Sequence, residues 1–125
     1  MSIHSSYEEK AQLAASAAIA KGHADPSNLR ELLIWTTSKT TVAMVDIYFC
    51  QHHDDKNLLT ALFEIALEGE DAGDAPWAAA NTIADFPAPM LVEHRAALVQ
   101  LSQFEWNYLR VPALKALAKL DEFDT

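Results

Sequence analysis

Apolar residues recur along this chain at intervals of three and four, the period of a helix surface. Tyr7, Ala11, Ala14, Ala15, Ala18 and Ile19 form the first such series. Ser6 opens it with Glu9 three positions on, a capping-box spacing, and Gly22 closes it. Asp25 and Pro26 open a second helix, with the carboxylate as N-cap and proline in the first turn. Leu29, Leu32, Leu33 and Trp35 supply its apolar stripe, and the threonine-rich stretch 36–41 is a connection. From about Thr41 to His52 the chain is apolar nearly all round, which predicts a buried helix. A fourth helix follows Asp54-Asp55, either of which can cap it, with Leu58, Leu59, Leu62, Ile65 and Ala66 on its buried side. The acidic, glycine-bearing stretch 68–74 reads as a loop, after which Asp74 caps a fifth helix with Pro76 in its first turn, running to Phe86. Pro87 and Pro89 force a break, because proline disfavours helical geometry in the residue before it. Helices over about 90–104 and 107–120 complete the chain, with Pro112 inside the last and a fraying acidic tail over 121–125.

Displacing the chain by 34 residues lays the fourth and fifth helices on the sixth and seventh. Leu58, Leu62, Ile65 and Leu67 fall on Val92, Ala96, Val99 and Leu101. Ala79, Ile83, Ala84 and Phe86 fall on Ala113, Leu117, Ala118 and Leu120. These are positions that a helical hairpin buries. The segment 109–120 (LRVPALKALAKL) resembles the inner helix of a HEAT-type repeat, and 76–86 (PWAAANTIADF) is a weaker version of it. The resemblance covers about residues 55–121. Leu29, Leu32 and Leu33 do not fall into register at the same shift, so 1–54 is read as a set of atypical N-terminal helices. The expected fold is therefore all-α: one domain over 1–125, with six or seven helices as antiparallel hairpins in a short HEAT-like stack. The resemblance implies a right-handed stack whose members bind proteins along a concave or edge surface. It transfers no functional residues, since such repeats share core positions and not sites.

Composition agrees with helices. Half the chain is apolar, and three Gly and five Pro are few for an all-β protein. Charge adds direction. Residues 1–56 hold seven acidic and five basic side chains, a net of −2, whereas 57–125 hold eleven and four, a net of −7. An acidic half repels nucleic acid and anionic membrane and attracts cationic partners. Cys50, the only cysteine, excludes an intrachain disulfide and, in its apolar run, reads as a buried small hydrophobe. No segment has the length to span a bilayer. The alanine-rich stretch 11–20 follows Glu8 and Glu9, where a secretory signal carries positive charge, so the expectation is cytoplasmic.

Candidate chemistry is sparse. His52-His53-Asp54-Asp55 lacks a second half with metal-ligand spacing and reads as a helix end followed by a cap, and His94 reads as part of an exposed helix face. The serines sit at caps, termini and helix surfaces, with no glycine-rich elbow or phosphate loop. No cofactor, metal or enzyme activity is expected. Two segments do suggest a binding face. The acidic loop offers Glu68, Glu70, Asp71 and Asp74, with Trp77 just beyond it. One repeat later, the turn Phe104-Glu105-Trp106-Asn107-Tyr108 sets aromatics beside an acid, so Glu105, Trp106 and Tyr108 join the set. Tryptophan and tyrosine beside charge are the usual material of interface hot spots, although both tryptophans could instead plug the hairpin turns. In size, acidity and lack of catalytic groups the chain is similar to small bacterial immunity proteins, which neutralise a toxin by covering it. The implied partner is a cationic toxin domain, for instance a basic nuclease. The alternative is a structural subunit or adaptor docking its helical stack onto a larger assembly.

Overall fold

A computed structural model describes residues 3–69 and 73–124, and among these it is all-α, without a strand. Seven helices have eight residues or more: α1 (Ile3–Lys21), α2 (Pro26–Trp35), α3 (Val42–Gln51), α4 (Lys56–Ala66), α5 (Asp74–Ala84), α7 (Arg95–Ser102) and α8 (Asn107–Asp124). A single turn, α6 (Ala88–Leu91), and a 3-10 turn (Val92–His94) lead into α7. None of these helices is long and apolar enough to cross a membrane. By internal contacts the chain forms two compact units, Met1–Gln51 and His52–Thr125.

In the first unit α1 packs on α2 and α3, and α2 on α3. Alanines at 11, 15 and 18 are buried on α1, and their small side chains leave room for Leu29, Leu32, Leu33, Val45, Tyr48 and Phe49. Helix α1 begins at Ile3, so Ser6 lies within it and is not its cap. It ends as expected at Gly22, whose φ of +79° is the left-handed geometry glycine tolerates and whose N–H reaches the carbonyls of Ala18 and Ile19. Buried Asn28 then donates its amide to the Ala18 carbonyl at 2.8 Å and to the Gly22 carbonyl, satisfying the end of α1 from α2. Asp25 caps α2 through the Ser27 N–H, with Pro26 in the first turn. At the other end the threonine-rich stretch does more than connect. The hydroxyls of Thr36, Thr37 and Thr41 donate, each at 2.7 Å, to the carbonyls of Leu33, Ile34 and Trp35, adding to the backbone N–H bonds that the Leu33 and Ile34 carbonyls already accept from Thr36 and Thr37.

Helix α3 differs from its reading as buried all round. Only Val45, Tyr48 and Phe49 are buried, while Ile47 is 60% exposed and Cys50 is exposed. One side of α3 meets its neighbours, and the apolar run continues round to the outer side.

The second unit centres on α5, which packs against α4 and α8, while α6 and α7 lie on α8. Ala75, Pro76, Ala78, Ala79, Ala80, Thr82, Ile83 and Ala84 of α5 are buried, leaving a narrow outer stripe of Asp74, Trp77 and Asn81. Two helical hairpins, α4 with α5 and α7 with α8, thus meet through α5 and α8, an arrangement compatible with a helical repeat. The internal match holds only in part. Ala113 and Leu120 are buried like Ala79 and Phe86, but Val92 and Val99 are 39% and 41% exposed and Ala96 is exposed, where Leu58, Leu62 and Ile65 are buried. Of the matched positions in this arm only Leu101 is buried, and Leu91 and Leu98 are buried beside it. Leu91 and Leu98 are buried in the places of Leu58 and Ile65, one position earlier than the match both before and after the 3-10 turn at Val92–His94.

Boundaries of this unit refine the expectations. Asp55, not Asp54, caps α4, accepting from the Asn57 and Leu58 N–H groups. Asp74 is the first residue of α5 and does not cap it; Gly73, with φ +89°, holds the cap position. Helix α8 starts at Asn107, passes through Pro112 and continues to Asp124, so residues 121–124 are helical rather than frayed. The C-terminus of α5 is closed from α8 by Lys119, whose Nζ donates to the carbonyls of Ala84 at 2.6 Å and Phe86 at 2.9 Å.

Candidate functional site

The turn after α4 and the turn before α8 meet at one end of the second unit. The first winds down through bonds from the Glu68 N–H to the Ile65 carbonyl and from the Gly69 N–H to the Ala66 carbonyl. The second does so through Gln103 N–H to Gln100 and Phe104 N–H to Leu101, and the Trp106 carbonyl then accepts from both Leu109 and Arg110 to start α8. Gly69 is buried with φ +84°, and a β-carbon built on it would lie 3.4 Å from Cζ3 of Trp106 and 3.8 Å from Cε2 of Phe104. The Trp106 ring therefore rests on bare backbone, which only glycine provides at this conformation. Phe104 meets Trp106 edge-on, with ring centroids 6.0 Å apart.

Around this contact lies a cleft of ≈ 380 Å³ lined by Leu67, Glu68, Gly69, Gln103, Phe104, Glu105 and Trp106. A second cleft, of ≈ 420 Å³, is lined by Gly73, Asp74, Trp77 and Tyr108. Trp77 is 38% exposed and meets Tyr108 edge-to-face, with centroids 6.5 Å apart at 74°. The structure thus gathers six of the residues singled out from sequence into two clefts: Glu68, Glu105 and Trp106 in one, and Asp74, Trp77 and Tyr108 in the other. Glu70 and Asp71 lie outside the described residues, in the segment that joins the two clefts along the chain. The question of plug or contact divides between the tryptophans. Trp106 packs over the turn and is half-buried, whereas Trp77 offers a large part of its ring outward. Sequence reasoning left Phe104 and Gln103 out of the site, and missed that Gly69 and Gly73 shape it through positive φ. The aromatic run at 104–108 and the two glycines flanking 70–72 carried that signal.

Chemically, each cleft sets aromatic rings beside a carboxylate, a combination that favours cations and planar polar groups over anions.

The histidines occupy other places. The His53 ring lies against Phe86, with centroids 4.7 Å apart, beyond the C-terminal end of α5. Burial pushes its pKa below the ordinary imidazole value, Asp85 opposes the shift, and Lys119 adds to it. His94 is not simply on an exposed face: its ring is half-buried and stacks on Phe63 of α4 at 4.6 Å and 15°. Cys50 is exposed at the last turn of α3, contrary to its reading as core. No protein-family model, curated protein or solved structure matches this chain.

Proposed function

We propose that this chain is a non-catalytic protein-binding domain that grips a cationic partner with the loop end of its second unit, in the manner of an immunity protein covering a toxin. One observation carries the reading. Two aromatic–acidic segments some thirty residues apart converge on the same end of the second unit, and their clefts hold Glu68, Asp74 and Glu105 beside Trp77, Trp106 and Tyr108. The net charge of −7 over residues 57–125 supplies long-range attraction, and the aromatics supply contact area at low entropic cost. A basic toxin domain that normally holds phosphates meets in this end an acidic surface of comparable charge, so occlusion is both steric and electrostatic. Such a protein works where its partner would act, here the cytoplasm, and needs no cofactor.

The test uses the full chain as bait in extracts of its host. The expected catch is a basic protein whose capture falls steeply between about 0.05 and 0.5 M salt, because exposed charge pairs are screened over that range. Trp106→Ala and the triple change Glu68→Gln, Asp74→Asn, Glu105→Gln should each weaken it at least about tenfold. Capture that ignores both salt and these substitutions would refute the reading.

The adaptor reading has its own observation. Val111 and Leu114, 56% and 50% exposed, lie one turn apart on the outer side of α8. If this side docks on a larger assembly, Val111→Asp should abolish capture and the loop-end substitutions should leave it intact.

A further inference from the structure

We infer that the cleft of Gly73, Asp74, Trp77 and Tyr108 is a socket for a single arginine side chain of the partner. The assignment rests on the reading above, that the loop end of the second unit engages a cationic protein, and names the group this cleft takes.

The argument begins with α5. Nearly every side of this helix is buried, and its exposed stripe consists of Asp74, Trp77 and Asn81. Trp77 follows Asp74 by one helical turn, so carboxylate and indole stand on the same side. Tyr108 approaches from α8 edge-to-face, at 74° and 6.5 Å, so the two rings stand as walls meeting at an angle and are not stacked on each other. Gly73 contributes no side chain, and a β-carbon at its position would touch nothing within 4 Å among the described residues.

Three ligand classes can be compared against this geometry. An anion finds the N-terminus of α5, worth roughly half a positive charge, but Asp74 sits there with a full negative one and outweighs it. A quaternary ammonium calls for a cage of rings on several sides, and among the described residues only two rings line this cleft. A guanidinium is flat, more weakly hydrated than an ammonium, stacks on a single ring face and directs paired N–H donors at a carboxylate. An indole face with a carboxylate one turn away matches those demands, and the ≈ 420 Å³ cleft has room for the aliphatic stem as well.

The test needs no knowledge of the partner. The full chain, labelled with nitrogen-15, is titrated with a capped Gly-Arg-Gly peptide, its lysine analogue and its citrulline analogue. The indole N–H signals of Trp35, Trp77 and Trp106 are followed, with Trp77→Phe used to assign them. The arginine peptide should move the Trp77 signal saturably and leave that of Trp35 in place. Lysine should bind at least about fivefold more weakly, and uncharged citrulline should have no effect. Asp74→Asn should reduce arginine binding by a similar factor while its Trp35 and Trp106 signals keep their wild-type positions. A Trp77 signal that citrulline moves as far as arginine does, or that arginine leaves still at tens of millimolar, overturns the socket. Those outcomes leave the broader reading to be judged by salt-sensitive capture through Trp106 and Glu105. Conversely, arginine binding at Trp77 with no cationic protein ever captured removes the broader reading and keeps the socket.

Discussion

Lys119 offers the sharpest test of how the second unit is held together. Its ammonium crosses from α8 and donates to two carbonyls, at 2.6 and 2.9 Å, one in the last residue of α5 and one just beyond it. Changing Lys119 to Met keeps the aliphatic stem and removes only the charge and its donors. A hydrogen bond from a charged group contributes about 1.5–3 kcal/mol, and interaction with the helix end adds about 0.3–1 kcal/mol. Because the lysine is half-buried, water can replace part of this, but Ala84 and Phe86 are buried residues whose carbonyls hydrate poorly. A net loss of about 2 kcal/mol follows. Urea unfolding followed by tryptophan emission, to which Trp77 and Trp106 of this unit contribute, should show a midpoint lower by about 1 M. Lys115→Met is the control, being exposed on the same helix one turn earlier, and should stay within about 0.5 kcal/mol of wild type. Equal losses from the two substitutions, or less than about 0.5 kcal/mol from Lys119→Met, would refute the account.

Three further outcomes are expected. Asp55→Ala should cost about 1 kcal/mol by thermal or urea unfolding and Asp54→Ala almost nothing, since only Asp55 accepts from the first turn of α4. Burial lowers the pKa of His53 from 6.5, so folding favours its neutral form; its contribution to stability is therefore intact above pH 6.5 and is lost as the pH falls from there through the lowered folded value. Proton NMR titration of its ring should show a higher pKa in Lys119→Met and a still lower one in Asp85→Asn. Exposed Cys50 should react with a disulfide reagent in the folded protein within about tenfold of its rate in urea, and strong protection would contradict its exposure.

Much of the fold was legible because it is written in local rules. Asp25-Pro26 and Asp55 mark helix starts through side-chain hydrogen bonds to N–H groups two or three residues away, so their signal is contained in a few consecutive positions. Gly22 ends α1 for an equally local reason. The two aromatic–acidic clefts were foreshadowed too, in that acids and aromatics cluster along the sequence on both turns that line them. Long-range pairings were not. Nothing in the neighbourhood of Lys119 distinguishes it from Lys115, and only packing decides which of the two reaches α5. Asn28 reads as an ordinary polar helix residue until α1 brings its last carbonyls within reach. Cys50 and Ile47 misled because an apolar run has no built-in sign for the side that will lack a neighbour. The hairpin match misled in a similar way: helices share a period, so residues align at several shifts, and for Leu58 and Ile65 the buried counterparts are Leu91 and Leu98, one position from those matched.

Pro112 has one more effect. Having no N–H, it cannot bind the carbonyl of Tyr108, so the opening turn of α8 is one rung short where it joins the remainder of the helix. That turn presents Trp106 to one recess and Tyr108 to the other, and both hang from the bonds at the Trp106 carbonyl. A substitution that tilts it reshapes both recesses together, so an engineer who retunes one will have retuned its neighbour as well.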